Sequence, residues 1–232
     1  MKRVLAVSPH LDDAVFSAGG TLAQHADAGD AVTVLTCFTG NVARPSGFAL
    51  ACQLDKGLDE TADYMALRRN EDVAACTEIG VKALHWPFLE APHRGYESAE
   101  ALFAGVHVHD AIEDELAPAL AEVMATLQPD LVYGPWGVGN HVDHMVVRSA
   151  LERASPKVIW WWEDYPYAMR EPEPPSGIHR REIPQHYAER KIAATLCYES
   201  QLGFQFGGPT NARRALANWR MEGFSRTKFS AS

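Results

Sequence analysis

The sequence predicts a single α/β domain built on a Rossmann-like, mostly parallel sheet with helices on both faces. Short apolar runs typical of buried strands alternate along the chain with longer runs of helical periodicity. Alternation of this kind favours parallel strands joined by helical crossovers. A length of 232 residues and a hydrophobic content of 47% can fill one large core, and no internal repeat interrupts the pattern. We therefore expect one domain over residues 1–232.

The predicted elements follow one another in a regular order. Strands are expected at the apolar runs 3–7, 31–37, 82–86, 130–133 and 157–162. Helices are expected at 16–28, 61–79, 112–127, 141–153 and 186–202. The long segments 38–60 and 87–110 follow strands, so we expect them to lie over the carboxyl edge of the sheet, where long loops commonly serve binding. The run Trp160-Trp161-Trp162 must alternate between the two sheet faces, and core burial is its favoured role.

Acidic and histidine side chains follow the first predicted strand directly. Ser8-Pro9 ends that strand, which places His10, Asp12 and Asp13 in the turn at its carboxyl end. Open α/β sheets bind their ligands at this edge. In a tight turn His10 and Asp13 can converge on one point while Asp12 faces that point from the side. An Asp pair at this place is also typical of a helix N-cap, and the two roles are compatible.

A second cluster, His141-Val142-Asp143-His144, follows the fourth predicted strand and a glycine-rich turn. With His10 and Asp13, His144 completes a set of two histidines and one carboxylate, which is the ligand set of a catalytic zinc site with one position left open. We expect one Zn²⁺ per chain, although Fe²⁺, Co²⁺ or Mn²⁺ also suits such ligands. His141 shares a helical face with His144 and would reach the substrate.

These residue types in this arrangement indicate metal-assisted hydrolysis. A divalent ion lowers the pKa of water from about 15.7 to about 7 and polarises an amide carbonyl. Asp12 is not needed as a ligand, so it is the predicted general base, and His141 is the predicted second stabiliser of the oxyanion. The departing amine also needs a proton. Whether Asp12 returns that proton or His141 donates it as imidazolium stays open from the sequence.

Two motifs resemble the signatures of the LmbE-like, PIG-L-type zinc-dependent N-deacetylases: Ser8-Pro9-His10-Leu11-Asp12-Asp13 and His141-Val142-Asp143-His144. The resemblance covers residues 3–202 and leaves 203–232 as a C-terminal extension of unknown role. The chain departs from the common pattern at Leu11, where Pro is frequent, and at Ala14, where many members carry Glu. Neither position is needed as a ligand or as the base in the chemistry above.

The resemblance implies hydrolysis of the acetamide of an N-acetylated amino sugar, such as N-acetylglucosamine, or of a sugar conjugate. It gives His10, Asp13 and His144 as the metal ligands and Asp12 as the general base. It also makes His141 the partner on the oxyanion side. Asp143 would orient a histidine, and His141 is the expected one.

Two further residues are candidate substrate contacts. Arg68 resembles a position where family members use a basic residue near the substrate. It could equally pair with Glu71 or Asp72 one turn along its helix. Trp136, in the loop before His141, is the favoured platform for a sugar ring.

Other functions stay open. An amidase would remove an acyl group larger than acetyl, and a non-catalytic relative would bind metal without hydrolysing any amide. A nucleotide-dependent enzyme is disfavoured because the chain has no Gly-x-Gly-x-x-Gly, and we expect Gly19-Gly20 to allow close helix packing instead. His107 and His109 lie in a predicted loop with no strand to fix them, so they are a weak candidate for a second ion site.

The net charge and the cysteine content restrict the partners and the cellular compartment that we expect. A net charge of −9 argues against nucleic acid and anionic membranes as partners, and it says nothing about a neutral sugar; the N-acetylated sugar expected as the small-molecule substrate is what the resemblance implies. The apolar run at residues 4–7 is too short for a signal-peptide core or a membrane span. The four cysteines form no Cys-x-x-Cys pair and no evident disulfide framework. We expect a cytoplasmic protein, and a homo-oligomer stays open.

Overall fold

A seven-stranded sheet organises the computed structural model, which describes residues 1–154, 158–170 and 173–228. The strands are β1 (Arg3–Ser8), β2 (Ala31–Thr36), β3 (Lys82–His85), β4 (Leu131–Pro135), β5 (Val158–Trp162), β6 (His179–Glu182) and β7 (Met221–Lys228). The first five agree with the predicted strands, apart from Lys157 at the start of the fifth, which lies outside the described residues.

The helices of the described ranges are α1 (Asp13–Asp27), α2 (Gly47–Asp55), α3 (Tyr64–Glu78), α4 (Ile112–Leu127), α5 (Val142–Ala154), α6 (Gln185–Leu196), α7 (Glu199–Phe206) and α8 (Pro209–Asn218). The prediction of one helix over 186–202 is wrong, because α6 and α7 are separate. Between them Tyr198 turns into the core, where its hydroxyl donates a hydrogen bond of 2.7 Å to Asp72 Oδ1. The backbone of Tyr198, with φ −85° and ψ 56°, lies outside the helical range, so the two helices are separate.

Strand order explains where a ligand can bind. The order across the sheet is β3-β2-β1-β4-β5-β7-β6, and the first five strands run parallel. β7 pairs antiparallel with both β5 and β6. The chain leaves β1 towards β2 on one side and later returns to β4 on the other, which opens a crevice between the carboxyl ends of β1 and β4. The predicted fold class is confirmed.

The two faces of the sheet bury separate cores. Along β1, Val4 and Ala6 pack on one face with α1, α3, α6 and α8, whereas Leu5 and Val7 pack on the other with α4 and α5. This alternation follows from the two-residue period of a strand. Trp161 and Trp162 of β5 are buried on opposite faces, as expected for core residues.

The described residues of the predicted C-terminal extension pack into the same domain and add a strand to the sheet. In the predicted C-terminal extension, α8 packs on α6 and α7, and β7 inserts between β5 and β6. Glu222 of β7 is buried and accepts hydrogen bonds from the backbone N–H groups of Gly20 and Thr21 in α1, each at 2.9 Å. Residues 229–232 of the predicted domain lie outside the described residues.

The long segments predicted as loops contain short helical elements. Segment 38–60 includes α2, and segment 87–110 includes 3₁₀ turns at Ala91–His93 and Ala101–Phe103. Residues of both segments line the large cavity over the carboxyl edge of the sheet. No helix in the described part of the chain is both long and apolar enough to cross a bilayer.

Candidate metal centre and active site

The turn after β1 is shaped by Ser8 and by an unusual backbone at Asp12. Ser8 Oγ donates to the carbonyl of His10 at 2.8 Å and accepts the N–H of Ala14 at 3.1 Å, which closes the turn. Asp12 has φ 148° and ψ −36°, a conformation that side-chain-bearing residues rarely adopt. Strain of this kind persists where the surrounding structure imposes it, and it often marks functional positions. The N-cap role is not observed, since the Asp12 side chain makes no cap hydrogen bond.

The fold brings three predicted metal ligands together. Asp13 Oδ2 lies 3.1 Å from His10 Nδ1 and 3.2 Å from His144 Nε2, and one ligand atom from each residue lies within 4.8 Å of the others. Ligand atoms about 2.0–2.2 Å from a tetrahedral zinc ion are about 3.3–3.6 Å apart. His144 comes from α5, so the ligands join the ends of β1 and β4 across the crevice.

Each of these histidines contacts a carboxylate through its other ring nitrogen. His10 Nε2 lies 2.8 Å from Asp143 Oδ2, and His144 Nδ1 lies 2.8 Å from Asp164 Oδ1. Histidines that bind a metal usually donate their second ring N–H to a carboxylate, which fixes the tautomer. His10 Nδ1 and His144 Nε2, which both lie against Asp13 Oδ2, are then the ring atoms that can face an ion.

The donor set therefore fits a divalent cation. His144 Nε2 is buried and makes no directed hydrogen bond among the described residues. A second triple, His10, His141 and Asp143, also meets the distance condition for an ion. It fits less well, because Asp143 already contacts Arg94 and accepts the backbone N–H of Ala91 at 3.1 Å. No group containing His107 or His109 meets the condition in the described ranges, and His107 instead stacks on Tyr96.

The three predicted ligands form a cluster of buried ionisable groups. Burial would lower the pKa of His144, but Asp13 and Asp164 outweigh it and raise that pKa to about 10. Burial likewise opposes ionisation of Asp13, yet His144 and His10 hold its pKa well below the ordinary value. The cluster thus holds protons at neutral pH that a cation would displace.

Asp12 lines the cavity beside Asp13 and is buried. Burial, with the neighbouring Asp13 charge, raises the pKa of Asp12 to about 7. Arg68 opposes this rise, and its Nη2 lies 3.6 Å from Asp12 Oδ2. Asp12 is therefore a carboxyl group that can exchange protons near neutral pH.

Arg68 also lines the cavity, but much of its guanidinium is engaged. Its Nη1 donates to Glu90 Oε1 at 2.6 Å, and its Nη2 donates to the carbonyl of Leu11 at 3.1 Å. The alternative pairing with Glu71 or Asp72 is wrong, because those carboxylates bind Ser200 and Tyr198 instead. Arg68 holds the turn that carries Asp12.

His141 lies directly before α5 and faces the cavity. Its Nδ1 accepts the backbone N–H of Asp143 at 3.2 Å, so a neutral ring carries its proton on Nε2. Burial and the neighbouring His10 lower the pKa of His141 to about 3. Asp143 was expected to orient a histidine, with His141 as the favoured one; its carboxylate instead contacts His10 and Arg94, so the choice of His141 is wrong.

A cavity of about 760 Å³ lies over these groups. The residues that line it include His10, Asp12, Asp13, Arg68, Glu90, His141 and Asp143, together with Phe48, Leu102, Phe103, Tyr167 and Phe204. The expected sugar platform Trp136 does not line it. The Trp136 ring stacks against Arg148, whose Nη1 donates to the Trp136 carbonyl at 2.7 Å, and the residue packs on the core instead.

Sequence reasoning missed the partners of the ligands. The sequence predicts no role for Asp164 beside His144, for Arg94 beside Asp143 or for Glu90 beside Arg68. The one sequence signal for Asp164 is an acidic pair directly after the tryptophan-rich strand, at the same sheet edge as the two clusters.

Together these features define an α/β protein with the ligand set of a hydrolytic metal site at the crevice of its sheet. The chain belongs to the PIG-L (LmbE-like) family: the family model for GlcNAc-PI de-N-acetylase matches residues 5–155. It is 33% identical over 171 residues to a 2′-N-acetylparomamine deacetylase from Streptomyces fradiae, covering 72% of this chain and 58% of that protein.

Two other relatives extend the comparison. A 1D-myo-inositol 2-acetamido-2-deoxy-alpha-D-glucopyranoside deacetylase from Mycobacterium sp. (strain KMS) is 32% identical over 170 residues, covering 68% of this chain and 54% of that protein. The chain thus spans little more than half the length of these curated relatives. The zinc-inhibited form of a teicoplanin deacetylase superposes with a TM-score of 0.81 at 29% identity, covering 99% of this chain and 100% of that chain.

Proposed function

We propose that this protein is a zinc-dependent N-deacetylase that hydrolyses the acetamide of an amino sugar carried on a larger conjugate. The observation that carries the proposal is the convergence of His10, Asp13 and His144 beside Asp12 at one cavity. The names of the relatives support this class of substrate, since they are deacetylases of an N-acetylated aminoglycoside, of an acetamido sugar joined to inositol and of teicoplanin.

Each of these residues has a separate role in the proposed hydrolysis. A divalent ion held by His10, Asp13 and His144 would supply a Lewis acid and acidify water. Asp12 lies beside that position and accepts the proton of the attacking water. His141 can donate from Nε2 to the developing oxyanion, because its Nδ1 already accepts the Asp143 N–H. This geometry favours Asp12, rather than an imidazolium at His141, as the group that returns the proton to the amine.

The cavity supports a substrate larger than a single sugar. Its volume of about 760 Å³ is in the range of sites that enclose drug-sized ligands. Apolar side chains line part of it, and Phe103 and Phe204 are 41% and 59% exposed. Exposed aromatic side chains around a cleft are typical of a surface that binds an apolar partner. An apolar group attached to the sugar would cover them.

Acetate release from a matched set of substrates tests this proposal. The zinc-loaded protein is assayed with N-acetylglucosamine, with its 4-nitrophenyl glycoside and with the N-butanoyl form of that glycoside. We expect the highest kcat/KM with the N-acetyl aryl glycoside. Faster hydrolysis of the N-butanoyl amide would favour the alternative, an amidase for larger acyl groups. No hydrolysis of any of them with zinc, cobalt, manganese or iron would contradict the proposal.

A further inference from the structure

Arg94 lies in the long loop after β3 and is fixed by contacts on several sides. Its Nη2 lies 2.9 Å from Asp110 Oδ2 and 2.8 Å from Asp143 Oδ1. Its Nε also bonds Asp110, and its Nη1 donates to the Leu89 carbonyl at 2.7 Å. The guanidinium lies over the Phe38 ring, 4.8 Å from its centroid. A planar guanidinium that is bound through several of its N–H groups in this way has a single preferred orientation.

Asp110 is itself held in place. Its side chain is 3% exposed, its Oδ2 accepts the hydroxyl of Tyr96 at 2.9 Å, and its Oδ1 accepts the N–H of Ile112 at the start of α4. The Tyr96 hydroxyl accepts in turn the backbone N–H of His107 at 2.9 Å. The loop is therefore folded around the Arg94–Asp110 pair.

Asp143 connects this pair to the metal position. Its side chain is fully buried, and its Oδ2 contacts His10 Nε2. A histidine that binds a metal does so as neutral imidazole. Once His10 is neutral, Arg94 is the cation that lies against Asp143 in the described structure. A buried carboxylate without a cation is costly, so Arg94 matters most when the ligand site is in use.

We infer that Arg94, held by Asp110, is a positioning residue that keeps the Asp143 carboxylate aimed at His10 Nε2. In that arrangement His10 Nδ1 stays turned towards the metal position. The inference rests on the metal site of the proposed function, but not on the identity of the substrate. Loss of a partner beyond the ligands typically weakens metal binding about 10–100-fold.

Zinc affinity of the apoprotein, measured by competition with a chelator, tests the inference. We expect Arg94→Met to weaken binding about 10–100-fold. Arg148→Met is the matched control, because Arg148 also lies over an aromatic ring and donates to a backbone carbonyl, without contact to Asp143. Its affinity should equal that of the wild type. Asp110→Asn should weaken binding less, and should add little in the Arg94→Met background.

A second readout separates positioning from general loss of structure. In the zinc-loaded wild type, ¹⁵N NMR of the His10 ring should show the proton on Nε2. In Arg94→Met we expect a mixture of ring states, with thermal unfolding of the apoprotein still cooperative, and in Arg94→Lys a partial recovery of zinc affinity. Equal zinc affinities in wild type and Arg94→Met would overturn the inference, as would a wild type that binds no divalent ion. Tight zinc binding without acetate release would contradict the proposed function alone.

Discussion

Asp164 Oδ1 lies 2.8 Å from His144 Nδ1, and both side chains are buried. The other oxygen of the same carboxylate accepts the backbone N–H groups of Gly137 and Val138 at 2.6 and 2.8 Å. One carboxylate thus fixes the glycine-rich turn after β4 and selects the tautomer of His144 that leaves Nε2 for an ion. His144 and the turn that precedes its helix share one support.

Asp164→Asn should therefore weaken zinc binding about 10–100-fold, because the amide cannot accept from the ring and from both backbone groups at once. Chelator competition measures the affinity. Asp30→Asn is a matched control, since Asp30 Oδ2 contacts His25 Nδ1 at 2.9 Å in a pair outside the two possible metal-binding groups found among the described residues. Equal loss in both variants would mean that the effect is not specific to the His144 partner.

Asp12→Asn should keep the metal and lose most turnover. The amide has nearly the shape of the carboxylate but cannot accept a proton from water, and general base catalysis is typically worth about 10²–10⁴-fold. We expect kcat to fall by that factor at unchanged zinc content. Asp55→Asn removes another carboxylate of the cavity and should stay near the wild-type rate. Near-normal kcat in Asp12→Asn would remove Asp12 from the mechanism.

The sequence predicted the parts of the site that sit in local motifs. His10 and Asp13 follow a strand within one turn, and His141 and His144 flank a helix start, so spacing alone placed them at the sheet edge. Asp164 and Arg94 reach the ligands from irregular segments whose spatial neighbours are decided by the folded chain. Their roles could not follow from spacing.

The strand β7 could not be predicted from the sequence for a similar reason. The sequence of β7, Met221–Lys228, is mostly polar and gives no clear apolar run. It is a strand because β5 and β6 pair with it on either side, and its buried Glu222 is satisfied by Lys191 and α1. Tertiary contacts override the local pattern here.

The sequence predicts that Gly19-Gly20 allow close packing of their helix. Gly20→Ala should therefore destabilise the fold. A Cβ at Gly20 would lie 2.5 Å from Ile183 Cδ1 and 3.2 Å from Glu222 Oε1. Overpacking of this kind costs about 1–3 kcal/mol in the free energy of unfolding, measurable with chemical denaturant. Gly203→Ala in α7 is the control: its Cβ meets nothing within 4 Å, so the variant should be as stable as wild type or more so. Equal stability of Gly20→Ala and wild type would contradict the packing role.

Phe204→Ala should discriminate between substrates. Phe204 lines the cavity and is 59% exposed, so we expect its ring to contact the group attached to the sugar. KM for the 4-nitrophenyl glycoside should rise about tenfold, equivalent to about 1.4 kcal/mol, with KM for N-acetylglucosamine unchanged. Val108→Ala, at a side chain 92% exposed outside the cavity lining, should change neither. A parallel rise for both substrates would place Phe204 outside the conjugate subsite.

Zinc affinity should rise with pH across the neutral range. Asp13 and Asp164 raise the pKa of His144 to about 10 against the effect of burial, so the apoprotein holds a proton there that zinc must displace. Calorimetric titration at one pH, in buffers of different ionisation enthalpy, should reveal proton release on binding. Affinity that is the same at pH 6 and pH 8, with heats independent of the buffer, would contradict the ligand assignment.

We propose that side chains from the ends of β1 and β4 hold one metal ion between them. Elemental analysis of wild type and His144→Ala, after identical zinc loading and dialysis, tests this claim directly. We expect about one tightly held ion per wild-type chain and much less in the variant. No ion in the wild type, or equal content in both proteins, would contradict it.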